Sequence, residues 1–204
     1  MGENTLSDQE LGRLPDDNEK AALSAMSVGV QSAFLGAPVL ADVDRIVASE
    51  DWKDVALTIA AQPDVPRNLT VALTDVDNSV TGLLTITGKD AMGREVVETM
   101  APDGAGGGKA LVGTKIFAEI TSAVITNSAG EATGVDVITI GVGDVIGLPV
   151  DIAVAACVVH AYLDGAKVSP TIATGVSESG IDASAGTYDG IKLLYALVNP
   201  NRLS

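Results

Sequence analysis

The sequence predicts a mainly β protein, an antiparallel sandwich or barrel with an N-terminal arm and one short helix. Valine, isoleucine and threonine account for 54 of the 204 residues, and these β-branched side chains favour pleated sheets. From about Asp42 onward, short alternating segments are separated by turn residues, a spacing typical of sandwiches and barrels. Because aromatic residues make up only 3% of the chain, we expect a core of aliphatic side chains.

The chain is predicted to divide into an arm with a short helix at residues 1–41 and a β domain at residues 42–204. The start of the arm is acidic and polar, and it has too few apolar residues to form a core. A capping-box-like pair, Asp16 and Glu19, then precedes apolar residues at helical spacing. This amphipathic stripe, which we expect to pack on the domain or a partner subunit, comprises Leu23, Met26, Val30 and Phe34.

Period-two alternation and turn residues predict the elements of the β domain. Strands are predicted at residues 69–74, 84–87, 115–124 and 191–198. Turns are predicted at residues 89–94, 127–130 and 164–165. The uncharged run 152–163 is interpreted as a central buried strand, and residues 175–190 as a long loop. A bend or bulge is predicted at Gly141, Gly143 and Gly147.

The chain carries a formal net charge of −15, and the segment from Ile116 to Ala166 contains no lysine or arginine. Because such a surface repels phosphate backbones and anionic lipids, neither a nucleic-acid partner nor a membrane partner is expected. Residues 21–41 are uncharged, but their polar residues and acidic flanks argue against a signal peptide or membrane span, so we expect a soluble, unprocessed chain. The single cysteine, Cys157, excludes an internal disulfide framework.

Catalytic and metal-binding patterns are incomplete, so neither an enzyme nor a cofactor is expected. The only histidine, His160, follows Cys157 by three residues, and in a strand these side chains point to opposite faces. In a helix they would instead share a face. Ser177 lies in a nucleophile-elbow-like sequence in which Ser179 replaces the second glycine. Asp75 begins a calcium-loop-like sequence that lacks the required glycine and glutamate, so we interpret it as a turn.

Strand and turn motifs between residues 55 and 165 resemble a family of small virion structural proteins of tailed bacteriophages. These motifs are Pro63–Leu69, Thr81–Thr99 with its turn at Gly93, Gly113–Phe117 and Ile120–Ser122. Within this family the chain most resembles a capsid decoration, or cement, protein. The resemblance implies a β-rich homotrimer that is made in the host cytoplasm, binds the exterior of the major capsid protein shell and stabilises it.

The candidate capsid-binding residues are isolated apolar side chains in the acidic arm, namely Leu6, Leu11 and Leu14. The hypothesis is that they anchor the arm on neighbouring capsid or decoration subunits, and the alternative is that the arm is simply disordered. Two other functions stay open. In the first, the chain is a tail, neck or fibre component of the virion. In the second, it is a glycan-binding or hydrolytic β domain that uses acidic residues around residues 175–190.

Overall fold

The computed structural model describes residues 30–53, 55–75, 79–101, 109–130, 134–182 and 188–200. All strand pairs in this part of the chain are antiparallel, so the predicted mainly β class is confirmed. A single 3₁₀ turn, Ala155–Cys157, is the helical element of the described residues. The strands are β1 (Gln31–Gly36), β2 (Asp42–Asp51), β3 (Arg67–Leu73), β4 (Thr81–Lys89), β5 (Glu95–Met100), β6 (Lys109–Phe117), β7 (Glu119–Ala129), β8 (Val137–Gly147), β9 (Val158–Leu163), β10 (Ala166–Val168), β11 (Thr171–Ala173), β12 (Gly180–Asp182) and β13 (Leu194–Val198).

These strands form three sheets. The largest has the order β11-β12-β8-β3-β6, with β2 also paired to β8, and a smaller sheet has the order β5-β4-β7. The third sheet has the order β1-β13-β9-β10 and therefore joins the first described strand to the last. Strand β8 is the central element, because it pairs with β2, β3 and β12.

Two large apolar clusters hold the sheets together, and a third, small one, built on Tyr162 and Leu197, lies on the other face of the four-stranded sheet. The first core lies between the two sheets that contain β8 and β4, and its members include Ile46, Val47, Trp52, Leu69, Val71, Leu84, Ile86, Phe117, Ile138 and Ile140. The second core lies against the four-stranded sheet, and its members include Ala33, Leu35, Ile146, Cys157, Ala161, Leu163, Ile181, Leu194, Ala196 and Val198. Both are almost wholly aliphatic, as the composition predicts, and each fully buried valine, leucine or isoleucine contributes about 1.5–3 kcal/mol.

The predicted helix is wrong at its C-terminal end. Residues 31–36 form strand β1, which pairs with β13 and buries Ala33 and Leu35 while Phe34 points outward. Backbone pairing and burial of alternate residues outweigh the helical spacing of the sequence, because local propensity is a weak determinant. The four-stranded sheet therefore begins within the segment assigned to the arm. Residues 1–29, which hold the rest of the predicted helix, lie outside the described residues.

Two predictions in the C-terminal half are also corrected. The run 152–163 is not one strand, since β9 begins only at Val158, after a turn in which the Cys157 N–H donates to the Val154 carbonyl. Strand β9 does lie inside its sheet, between β13 and β10. The segment 175–190 contains strand β12, which is stable there because Ile181 pairs with Ile146 and is fully buried.

The turn predictions have mixed outcomes. The hairpins at residues 89–94 and 164–165 are confirmed, and Asp164 and Gly165 both have positive φ, as tight hairpins require. The turn at 127–130 is wrong, because β7 continues to Ala129 and the pairing with β4 accommodates the shift in register. The predicted bulge is present at two of the glycines of β8, because the register shifts against β2 beside Gly141 and against β3 beside Gly143, while the strand itself continues to Gly147. A Cβ on Gly141 would lie 1.8 Å from the Asp42 carbonyl oxygen, so this glycine permits β2 to approach closely.

Candidate interaction surface

The sequence-predicted site residues do not form one site in the described structure. Leu6, Leu11 and Leu14 lie outside the described residues. Cys157 is packed in the second core, whereas His160 lies on the other face of the sheet with its ring 6.2 Å from that of Tyr162. The two side chains therefore point apart, although Cys157 precedes the strand.

Potential metal ligands are dispersed. Over the described ranges, no group of three histidine, cysteine, aspartate or glutamate residues is placed to hold a metal ion. Asp75 is buried, and its carboxylate accepts hydrogen bonds from the N–H groups of Ser79 and Val80, which is the turn role expected from the sequence.

No helix within the described residues is both long and apolar enough to cross a membrane.

A buried ion pair lies between the two cores. Arg67, only 1% exposed, donates from Nε to the Gly143 carbonyl at 2.7 Å and from Nη1 to Asp64 at 3.0 Å. Burial alone would raise the pKa of Asp64, but the Val39 N–H and the Arg67 guanidinium lower it below its ordinary value. Arg67 also donates to the Val39 carbonyl, so the pair holds the β1–β2 connection against β8. Both oxygens of the Asp64 carboxylate and the Nε and Nη1 groups of Arg67 are thus hydrogen-bonded within the fold.

A second polar cluster joins the β4–β5 hairpin to the second core. Arg94 donates to Asp90 at 2.7 Å and makes a bidentate contact with Asp151. Ser177 donates from Oγ to Asp90 at 2.8 Å, and its carbonyl accepts the Ile116 N–H. The pKa of Asp151 is lowered chiefly by the hydrogen bonds from Arg94. Burial opposes ionisation of Asp90, yet hydrogen bonds from Arg94 and Ser177 leave its pKa below the ordinary value.

The chemistry of this cluster favours a structural role. The Ser177 hydroxyl faces a carboxylate with a lowered pKa, which makes that carboxylate a poor general base. The adjoining pocket has a volume of only about 10 Å³, far smaller than the roughly 300–1,000 Å³ of sites for small-molecule ligands. We therefore describe Asp90, Arg94, Asp151 and Ser177 as the ionic clamp, because its hydrogen bonds connect the hairpin to two segments of the second core.

The outer face of the four-stranded sheet carries a row of aromatic side chains. Register places Phe34 of β1 beside Tyr195 of β13, and Tyr195 beside Tyr162 of β9. The two tyrosine rings are stacked at 5.1 Å with planes 15° apart. Tyr162 is fully buried, whereas Phe34 is 66% exposed at the end of the row. The row thus runs from the buried ring of Tyr162 to the exposed ring of Phe34, and stacking holds the two tyrosine rings in place.

Further exposed apolar side chains lie at one end of this sheet, where β1 ends and β13 begins. Leu40, Ile191 and Leu193 are 63%, 79% and 47% exposed. Their loops are joined, because the Gly190 N–H donates to the Pro38 carbonyl and the Asp164 N–H donates to the Leu193 carbonyl. We call Phe34, Leu40, Ile191 and Leu193 the apolar patch. Grouped exposure of large apolar side chains marks an interaction surface, whereas single exposed residues do not.

Sequence reasoning did not find the apolar patch. Phe34 was assigned to a helical stripe, and Ile191 and Leu193 were assigned to a strand that begins only at Leu194. The sequence offers one signal, because Ile191 and Leu193 are two large apolar residues directly before the final strand.

Comparison with family models, with curated proteins and with solved structures gives no match to this chain.

Proposed function

We propose that this chain is a non-enzymatic capsid decoration protein of a tailed bacteriophage that binds the outer surface of the major capsid protein shell and stabilises it. The observation that carries the proposal is the apolar patch, exposed at the end of a rigid antiparallel sheet in a strongly acidic chain. Such a surface is suited to binding another protein, since burying its side chains removes apolar area from water.

Two further features support the proposal. The polar clusters of the described fold, the Arg67–Asp64 pair and the ionic clamp, are engaged in holding the two cores together. The motifs that resemble those of small virion structural proteins lie mostly on strands and turns around the first core. A homotrimer on a three-fold axis of the shell would bind through three linked contacts, so even weak individual contacts would give high occupancy.

The proposal is tested by counting copies of the chain in purified particles. Mass spectrometry with labelled peptide standards gives its ratio to the major capsid protein, and cryo-electron microscopy of particles with and without it locates the density. We expect copies comparable in number to capsid subunits and density on the shell exterior. A few copies at the tail, neck or fibres would overturn the proposal in favour of another virion role, and absence from particles would overturn both.

A further inference from the structure

We propose that the apolar patch is the surface through which this chain binds its partner, and that the partner presents apolar side chains surrounded by lysine or arginine. This inference rests on the proposed function, because it identifies the part of the molecule that meets the capsid shell. The argument has three parts, which are the rigidity of the patch, its charged surroundings and its unsuitability for contact with a second copy.

The loop that carries the patch is held in shape before any partner binds. The Asp189 carboxylate accepts the N–H groups of Ile191 at 3.0 Å and Lys192 at 2.9 Å. The Lys192 hydrogen bond is the main cause of the lowered pKa of Asp189, which is therefore ionised at neutral pH. Gly190 adopts a φ of +74° beside the Val39 side chain, so the loop turns sharply and leaves Ile191 in solvent. Such preorganisation lowers the entropy cost of binding.

Acidic side chains outnumber basic ones around the patch. The charged residues next to the patch in the sequence or in strand register are Asp42, Asp44, Arg45, Asp164, Lys167, Asp189 and Lys192. Asp164 lies in the hairpin turn bonded to Leu193, and Asp42 and Asp44 follow Leu40 in the chain. Lys192 lies 3.8 Å from Asp189, at the long limit of an ion pair. A patch with this border complements a partner whose apolar contact is bordered by positive charge.

A second copy of this chain does not fit the patch equally well. Contact between two copies through the same surface would bring the acidic borders together, in a chain that already carries a net charge of −15. Like charges across an interface oppose association and select against that partner. This excludes a two-fold contact of patch with patch. In a three-fold trimer the patch would meet a different surface of the neighbouring copy, and measuring the mass of the patch variant tests that contact.

The test measures binding of the full chain to shells that lack it. The double variant Ile191→Ser/Leu193→Ser removes two exposed apolar side chains of the patch. Its matched control, Val135→Ser/Val176→Ser, removes two side chains of similar exposure, 45% and 67%, in loops elsewhere. We expect the patch variant to bind at least about tenfold more weakly, since each lost contact of this kind costs a few-fold or more. The control should stay within about twofold of the unaltered chain.

A charge variant tests the second half of the inference. Asp164→Asn/Asp189→Asn keeps the turn geometry, because asparagine tolerates positive φ and retains a side-chain oxygen. It should bind a few-fold more weakly at low salt, and the affinity should depend less on salt concentration. Unchanged or tighter binding of this variant would overturn the assignment of a basic partner surface.

The remaining outcomes separate the inference from the proposed function. If the unaltered chain binds shells and the patch variant binds equally well, the inference is overturned and the decoration function stands. If the unaltered chain does not bind, both are overturned. The mass of each variant is measured by light scattering, and a loss of oligomer specific to the patch variant would assign the patch to a contact between copies and overturn the inference.

Discussion

The two cores of this molecule are similar in composition but differ in how the chain builds them. The first core is formed by long strands, such as β7 and β8 with 11 residues each, although among the described strands β4 and β5 are its one pair of consecutive strands. The second core closes only when β1 pairs with β13 at the other end of the chain, and it includes strands of three residues. Alternation along a long strand is visible in a sequence, whereas pairing of distant short strands is not.

Polar side chains link the two cores, whose interiors are apolar. Arg67 donates to Gly143, which lies in β8 between Val142 of the first core and Ile146 of the second. The ionic clamp makes a second connection, from the β4–β5 hairpin to Asp151 beside the second core. Removing one charge of a buried ion pair leaves the other charge without a partner. We therefore expect the ion pairs between the cores to contribute more to stability than those on the surface.

The largest effect is expected from Arg67→Met. This variant leaves Asp64 and two carbonyls without their buried donor, and we expect the free energy of unfolding to fall by about 3–5 kcal/mol in urea titrations. The matched control is Lys89→Met, which removes an ion pair with Glu119 that is half exposed on both sides. That control should change stability by about 1 kcal/mol or less. Equal losses of stability in the two variants would show that the contact between the cores does not depend on the Arg67–Asp64 pair.

The next test asks whether the cores unfold together. Leu194→Ala in the second core and Ile140→Ala in the first each remove a fully buried side chain, and each should cost about 2–5 kcal/mol. Trp52, the single tryptophan, lies in the first core, whereas Tyr162 and Tyr195 lie on the sheet that bounds the second. Because β8 contributes to both cores, tryptophan fluorescence and tyrosine absorbance should show coincident transitions in both variants. Separate transitions would mean that the cores fold independently.

The smallest effect concerns pH and the ionic clamp. The pKa values of Asp90 and Asp151 are lowered in the folded state, so their stabilising effect is present above the ordinary carboxyl pKa and is lost as pH falls through the folded values. Arg94→Met should therefore lower the free energy of unfolding near neutral pH, by less than Arg67→Met does, and the difference from the unaltered chain should shrink as the pH falls through the folded pKa values of these two carboxyls.

The measurement is the free energy of unfolding of both proteins at several pH values, with Lys53→Met as the control. Lys53 lies 3.5 Å from Asp51 in an exposed pair, and its replacement should produce a small difference with little dependence on pH. A difference for Arg94→Met that stays constant with pH would contradict the clamp's dependence on ionised carboxylates.

The sequence predicts the features that depend on residues close together in the chain, and it misses those that depend on residues far apart. The hairpin at residues 89–94 was predicted, because Gly93 and its neighbours act locally. The clamp was not, since Arg94 and Asp151 are 57 positions apart and Ser177 and Asp90 are 87 apart. Phe34 was misassigned for the same reason, because its strand depends on β13. The apolar patch required knowledge of which side chains the closed sheet leaves in solvent.

The pairing of β1 with β13 has a practical consequence. Gln31 lies opposite Val198, so the described chain enters and leaves the sheet side by side, at the end remote from Ile191 and Leu193. Neighbouring entry and exit points favour circular permutation and tolerate fused domains. A cargo protein attached through a linker after Pro200 would thus begin at the end of the sheet away from the apolar patch. The molecule is therefore suited to displaying a fused protein without covering the patch.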